Sequence, residues 1–137
     1  MEFLDLAEND MDLIDAAREI MSRLYRPGKH HIAAALRTKG GRIYTGVHLE
    51  AHAVAVCAEV TVLGKAVSEG ETEFDCIVAV RHPRDHEENQ EIQIVSPCGT
   101  CREILSDYAE DLNVILIEDG EVKKTCITEL LPHKYDH

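Results

Sequence analysis

Two short segments carry residues whose types and spacing could do chemistry: Cys57-Ala58-Glu59 and Pro97-Cys98-Gly99-Thr100-Cys101-Arg102. Each stands at the predicted opening of a helix. Zinc takes cysteine thiolates readily, and a catalytic zinc site keeps three protein ligands and one open position. Cys98 and Cys101 are spaced so that one helical turn presents both sulfurs to one ion. Cys57, opening a second helix, completes three ligands. Both helix N-termini aim partial positive charge at the sulfurs and favour the thiolate form. Glu59 follows Cys57 by two residues, which sets its carboxylate beside the metal without making it a ligand. That is the place for a general acid–base group. The expectation is one Zn2+ per chain and a hydrolytic deamination. Water activated by the metal attacks an amine-bearing carbon, Glu59 relays protons, and ammonia leaves.

The hydrophobic pattern supplies elements to hold these segments. Met11, Leu13, Ile14, Ala17, Ile20, Met21 and Leu24 recur at helical spacing, and Pro27-Gly28 ends that helix. Residues 31–36 and 42–47 read as strands around the turn Lys39-Gly40-Gly41. Val60, Leu63, Ala66 and Val67 form the expected buried stripe of a second helix, closed at Ser68-Glu69-Gly70. Residues 75–80 are a continuous apolar run, as in a central strand. A charged loop over 82–90 follows, then a short extension at Ile92, Ile94 and Val95. Ile104, Leu105 and Tyr108 belong to a helix that starts at the C-x-x-C. Residues 113–117 and 122–127 are strands around Glu118-Asp119-Gly120-Glu121. The order α-β-β-α-β-α-β-β implies an α/β protein with one mixed sheet and helices packed on it, a single domain over 1–137.

Composition narrows the function. The chain of 137 residues carries 26 acidic against 14 basic residues and a net charge of −12, so a polynucleotide is repelled overall. No apolar run reaches the ~18–20 residues that span a bilayer. The opening Met1–Leu6 has no basic stretch of the kind that starts a signal peptide. The expectations are therefore a cytoplasmic protein, no membrane, no nucleic acid and a small-molecule substrate. Five cysteines in a reducing compartment point to metal or catalysis, not to a disulfide set.

At these residues the chain resembles the cytidine deaminase family, and most closely its blasticidin-S deaminase branch. The resemblance runs from residue 33 to residue 132. It covers GRIYTG at 41–46, the Cys57-Ala58-Glu59 segment, SPCGTCRE at 96–103 and ELLP at 129–132. It implies a three-layer α/β/α sandwich with a five-stranded mixed sheet, and a homotetramer with active sites near subunit boundaries. It also implies a substrate, a free aminopyrimidine nucleoside that is cytidine-, deoxycytidine- or blasticidin-S-like, converted to its keto product plus ammonia. On the same ground the backbone of Ala58 and Ser96 holds the base, and His48 and Glu50 meet the sugar or its replacement. His30 falls where an aromatic residue packs on the pyrimidine. The sequence departs from the usual pattern at three of these places. His48 replaces Asn, His30 replaces Phe, and Val60 stands where tetrameric cytidine deaminases carry Arg.

Blander readings accompany the sharp ones. His48-Leu49-Glu50 matches the H-x-E form of the deaminase signature and could supply the metal ligand, with Cys57 merely buried. Cys76 and Cys126, inside strand runs, read as small buried hydrophobes. Arg102 is expected to balance thiolate charge, with a surface ion pair as the blander reading. His30, His31, His52, His82, His86, His133 and His137 are expected in solvent by default, and Tyr135 either closes over a ligand or frays with the tail. Two other functions compete: editing of a base within RNA or DNA, and a non-catalytic zinc-stabilised module.

Overall fold

A computed structural model describes residues 1–135; His137 lies outside the described residues. Its centre explains why two stretches of the sequence are apolar at every position. β1 (Ile32–Thr38) and β5 (Phe74–Arg81) pair antiparallel, and their successive side chains leave by opposite faces. Ala33, Ala35, Cys76, Val78 and Val80 pack against α1 (Glu8–Leu24) through Leu13, Ile14, Ala17, Ile20 and Met21. Ala34, Leu36, Ile77 and Ala79 pack the other way. They meet Val62, Leu63 and Ala66 of α2 (Ala58–Ser68) and Leu105 of α3 (Gly99–Tyr108). The result is helix, sheet and paired helices in three layers, as the resemblance implied.

The sheet runs β2 (Ile43–Val47), β1, β5, β7 (Asn113–Glu118), β8 (Glu121–Cys126). The β5–β7 pair is parallel and its neighbours are antiparallel, so the sheet is mixed. A sixth short strand, β6 (Gln93–Val95), joins the five expected ones. It pairs with β5 at Ala79–Arg81, beyond the point where β7 pairs with Cys76–Val78. β3 (Leu49–Glu50) and β4 (Ala55–Val56) make a separate two-stranded hairpin directly before α2. The β7–β8 connection leaves Asp119 and Gly120 in the turn with φ of 50° and 80°. Two positive φ angles make the tight hairpin turn that Asp-Gly favours.

Two details of the expected stripes change. Met11 and Leu24 are exposed, so α1 buries a narrower face than its apolar residues suggested. On α2, Val67 is exposed and Val60 half-buried; the buried stripe is Ala58, Glu59, Val62, Leu63 and Ala66. That change of phase turns Glu59 inward. Gly46 lets α2 lie close to β2, since a Cβ there would stand 3.1 Å from Thr61 Cγ2.

The α1 side of the sheet also encloses charges. Asp10, fully buried, accepts hydrogen bonds from Ala7 N–H, Lys124 Nζ and Arg37 Nη2, each at 2.7 Å. Arg37 in turn donates to Asp75 and to the Asn9 carbonyl. One carboxylate thus caps α1 and ties it to β1 and β8.

Candidate active site

Cys57 is the N-cap of α2 and Cys98 the N-cap of α3, both with extended backbone (φ −65°, ψ 149° and φ −69°, ψ 169°). Cys101 lies in the first turn of α3. Both helices pack on the same face of the sheet, which brings their N-termini together. The Cys57 and Cys98 sulfurs are 3.7 Å apart, and the three Sγ atoms all lie within 4.8 Å of one another. A tetrahedral ion with Zn–S bonds of ~2.3 Å would hold its sulfurs about 3.8 Å apart. The trio therefore fits zinc in spacing as well as in donor type.

The charges around the trio favour a cation. Burial pushes the Cys57 thiol up, and the Cys98 sulfur and the Glu59 charge add to it against a hydrogen bond from Cys101. Burial, the Glu59 charge and the other two sulfurs push Cys101 up much further. Cys98 is the exception. Burial raises it too, but hydrogen bonds from the Cys101 main chain and from the Cys101 and Cys57 thiols hold it below its ordinary value. Three sulfurs and a carboxylate crowded this way repel a second negative charge until a divalent ion compensates them.

Glu59 is 5% exposed. Burial raises its carboxyl above the ordinary value, opposed by its own main-chain N–H. It lines a cavity of about 140 Å³ with Cys57, Cys98, Ala58, Ser96 and His48. Ile32, Ala55, Val56 and Val95 complete an apolar wall. In the sequence nothing separates these four from core apolar residues.

The structure does not gather every expected residue around this cavity. Glu50 is exposed, with its carboxylate 3.8 Å from His31 Nδ1. His31, whose ring centroid is 4.2 Å from that of His48, lines a second cavity with Glu50, Tyr25, Arg84 and His86. His30 places Nδ1 on the His48 carbonyl at 2.9 Å and is not among the lining residues. His48 is buried. It belongs to a cluster with His31 and Glu50, separate from the three cysteines. Cys76 is buried on the α1 side, its thiol pushed up to about 12 by burial. Cys126 is half-buried and bonds to the Glu110 carbonyl and Thr128. Arg102 commits its guanidinium to the carbonyls of Pro97 and Leu130, tying the Cys98 turn to the 3-10 helix Ile127–Leu130. His82 is not a free loop residue; its ring stacks on Tyr25 at 3.6 Å. No described helix is long and apolar enough to cross a membrane.

Comparison with known proteins points the same way. The family model of the cytidine and deoxycytidylate deaminase zinc-binding region matches residues 7–116. A blasticidin-S deaminase of Bacillus cereus is 47% identical over 137 residues, covering 98% of each chain. The crystal structure of a cytidine deaminase from Burkholderia pseudomallei superposes with a TM-score of 0.73 at 28% identity, over 95% of this chain and 100% of that one. The cytidine deaminase of Bacillus anthracis, 22% identical, shares the fold with a TM-score of 0.78 over 92% of this chain and 89% of its own.

Proposed function

Because the chain belongs to the cytidine and deoxycytidylate deaminase family and is a zinc-dependent hydrolytic deaminase of small nucleoside-type molecules, we propose the following division of labour. Cys57, Cys98 and Cys101 hold the zinc, and Glu59 moves the protons. The cavity takes the aminopyrimidine of cytidine, deoxycytidine or a blasticidin-S-like nucleoside. The main chain of Ala58 and Ser96 holds the base and His48 faces the sugar or its replacement, while Glu50, which lines the neighbouring cavity with His31, meets the part of the ligand that reaches past His48. His30 stands behind His48.

The observation that carries this reading is the position of Glu59. It is the one acidic side chain lining the cavity among the described residues, buried and raised in pKa, where the three thiols meet. When bound, zinc supplies a Lewis acid that brings the pKa of a water towards neutrality. Glu59 accepts the first proton that the attacking water gives up and passes it to the ring nitrogen, then takes the second from the hydroxyl newly added to the carbon and passes it to the departing amine. Water and the amino compound thereby become the keto compound and ammonia. A raised carboxyl pKa suits a group that must both take and give a proton near neutral pH. Ile32, Ala55, Val56 and Val95 keep bulk water from the ring.

The reading extends to a single domain over 1–137, a cytoplasmic location and a homotetramer. Leu49 and Val54, exposed on and beside the β3–β4 hairpin at the cavity wall, are apolar surface that a second subunit would cover.

The test is ammonia release by zinc-loaded protein from cytidine, deoxycytidine, blasticidin S, adenosine and a cytosine-containing single-stranded oligonucleotide. Release is expected from one or more of the first three and not from the oligonucleotide. Release from none of the three overturns the substrate assignment, and release from the oligonucleotide alone replaces it. Zinc analysis of Cys→Ala variants should show loss at positions 57, 98 and 101 and retention at 76 and 126.

A further inference from the structure

His48 is gripped at three of its four polar atoms. Its main-chain N–H donates to the Ile32 carbonyl at 2.9 Å. Its carbonyl accepts from His30 Nδ1 at 2.9 Å. Its ring Nε2 accepts from the main-chain N–H of His31 at 2.8 Å. The last contact is decisive, because a nitrogen that accepts a hydrogen bond carries no proton. In a neutral imidazole the proton is then on the other nitrogen, and that nitrogen donates. Burial and the neighbouring His31 and His30 rings lower the His48 pKa against the pull of the Glu50 carboxylate, which favours the neutral ring. Nδ1 makes no hydrogen bond among the described residues, yet no buried side-chain polar atom is left unsatisfied, so Nδ1 is not sealed inside the protein. The residue that carries it lines the cavity.

We propose that the main-chain N–H of His31 fixes His48 in its Nδ1–H tautomer, so that this wall of the cavity presents a hydrogen-bond donor and selects ligands with an acceptor oxygen there. This rests on the reading of the cavity as a nucleoside site and adds the polarity of one of its walls. A side-chain amide could turn to offer either a donor or an acceptor; the locked imidazole offers a donor. The oxygen it requires is a hydroxyl, ether, carbonyl or carboxylate on the sugar or on the group in its place. An ammonium or amine donor at that point would meet N–H with N–H. The same lock argues against a second metal on the His31–His48–Glu50 cluster, although their donor atoms lie within 4.8 Å of one another. One ring nitrogen of His48 carries the proton and the other accepts one, so neither lone pair is free.

Two measurements test this on the zinc-loaded protein. The first is ¹⁵N NMR of the imidazole rings, with His48 assigned by comparison with His48→Asn. The expected signature is a protonated Nδ1 and an unprotonated Nε2. A protonated Nε2, or protons on both, overturns the lock whether or not any nucleoside is deaminated. The second is calorimetric binding of product-side ligands, which are not consumed: uridine and its analogues with each sugar hydroxyl in turn replaced by hydrogen or by an amino group. At one sugar position the amino analogue should bind about 5- to 150-fold more weakly than uridine, the scale of one buried hydrogen bond lost or left unmade. The deoxy analogue should lie between them. In His48→Asn, whose amide can accept, the amino penalty should shrink while zinc content stays at one per chain. Equal binding of uridine and every amino analogue overturns the selection. If no member of the series binds, the nucleoside reading of the cavity falls and the selection with it, while the NMR result still decides the tautomer.

Discussion

Asp10 and Glu59 are buried carboxylates on opposite faces of one sheet, and their surroundings treat them in opposite ways. Burial alone would push Asp10 up, but hydrogen bonds from Lys124, the Ala7 N–H and Arg37 outweigh it and hold the carboxyl below 3.8. Glu59 has burial and little to oppose it beyond its own main-chain N–H, so its carboxyl stands above 4.5. Asp10 is served by three donors, from the N-cap of α1, from β1 and from β8, and has nothing left to offer an incoming molecule. Glu59 opens on a cavity, and its missing partners are those a reaction would bring. A buried charge with every partner in place holds a fold together; one whose partners are absent is available for chemistry.

Exchanging the two carboxylates for amides should separate these roles. Glu59→Gln keeps the shape and a hydrogen-bonding oxygen but cannot carry a proton, so kcat should fall ~10²–10⁴-fold or more. Zinc content and the urea midpoint should stay near those of the parent. Retention of more than about a tenth of the activity would mean that another group moves the protons. Asp10→Asn should do the reverse. It leaves Arg37 and Lys124 facing a neutral amide inside the protein, and breaking a buried ion pair costs about 3–5 kcal/mol. Urea unfolding should show that loss, while kcat per zinc-loaded molecule is unchanged. A loss below about 1 kcal/mol would mean that water reaches this cluster and screens it.

Acid should show the comparison at smaller scale. Because the folded pKa of Asp10 lies below its unfolded value of 3.8, its contribution is complete above 3.8 and disappears as pH falls through the lower, folded value. The unfolding free energy of the parent should therefore decline with falling pH in that range. The curve for Asp10→Asn should be flatter by the contribution of one carboxylate. Parallel curves would show that Asp10 titrates alike in both states.

The metal centre was legible in the sequence because its chemistry tolerates few residue types at few spacings, and Cys57, Cys98 and Cys101 satisfied both. The layers were legible where both faces of a strand are buried, as at residues 33–36 and 76–80. What escaped notice depended on partners far away in the chain. Asp10 meets Lys124 across 114 residues, a pairing that no local pattern encodes. The two-residue strands β3 and β4 are too short to show alternation, and the cavity wall they supply stayed hidden with them. Val60 and Val67 put the apolar pattern of α2 out of phase with its buried face, which is Ala58, Glu59, Val62, Leu63 and Ala66. A glutamate was not expected among buried positions, although its inward turn is what the proposed chemistry needs. The surroundings of His48 were set by a main-chain N–H, which every residue but proline has and which no side chain announces.

The fork at β5 also bears on how this chain can vary. β5 changes partner part-way along one edge, from β7 to β6, and the excursion between β5 and β6 is closed by the pairing of Arg81 with Gln93. β6 then leads straight into Ser96 and the Cys98 turn. The position of the C-x-x-C is thus set by the closing pair and not by the length of the segment that precedes it. Doubling the length of a flexible closed loop costs only ~0.6 kcal/mol. Beyond His82, which is stacked on Tyr25, residues 84–91 are therefore a place where the chain can gain or lose residues, or receive a tag, with the three cysteines left in register. Because His86 and Arg84 of that excursion border the second cavity, such changes would remodel that neighbouring cavity while leaving the thiol cluster as it is.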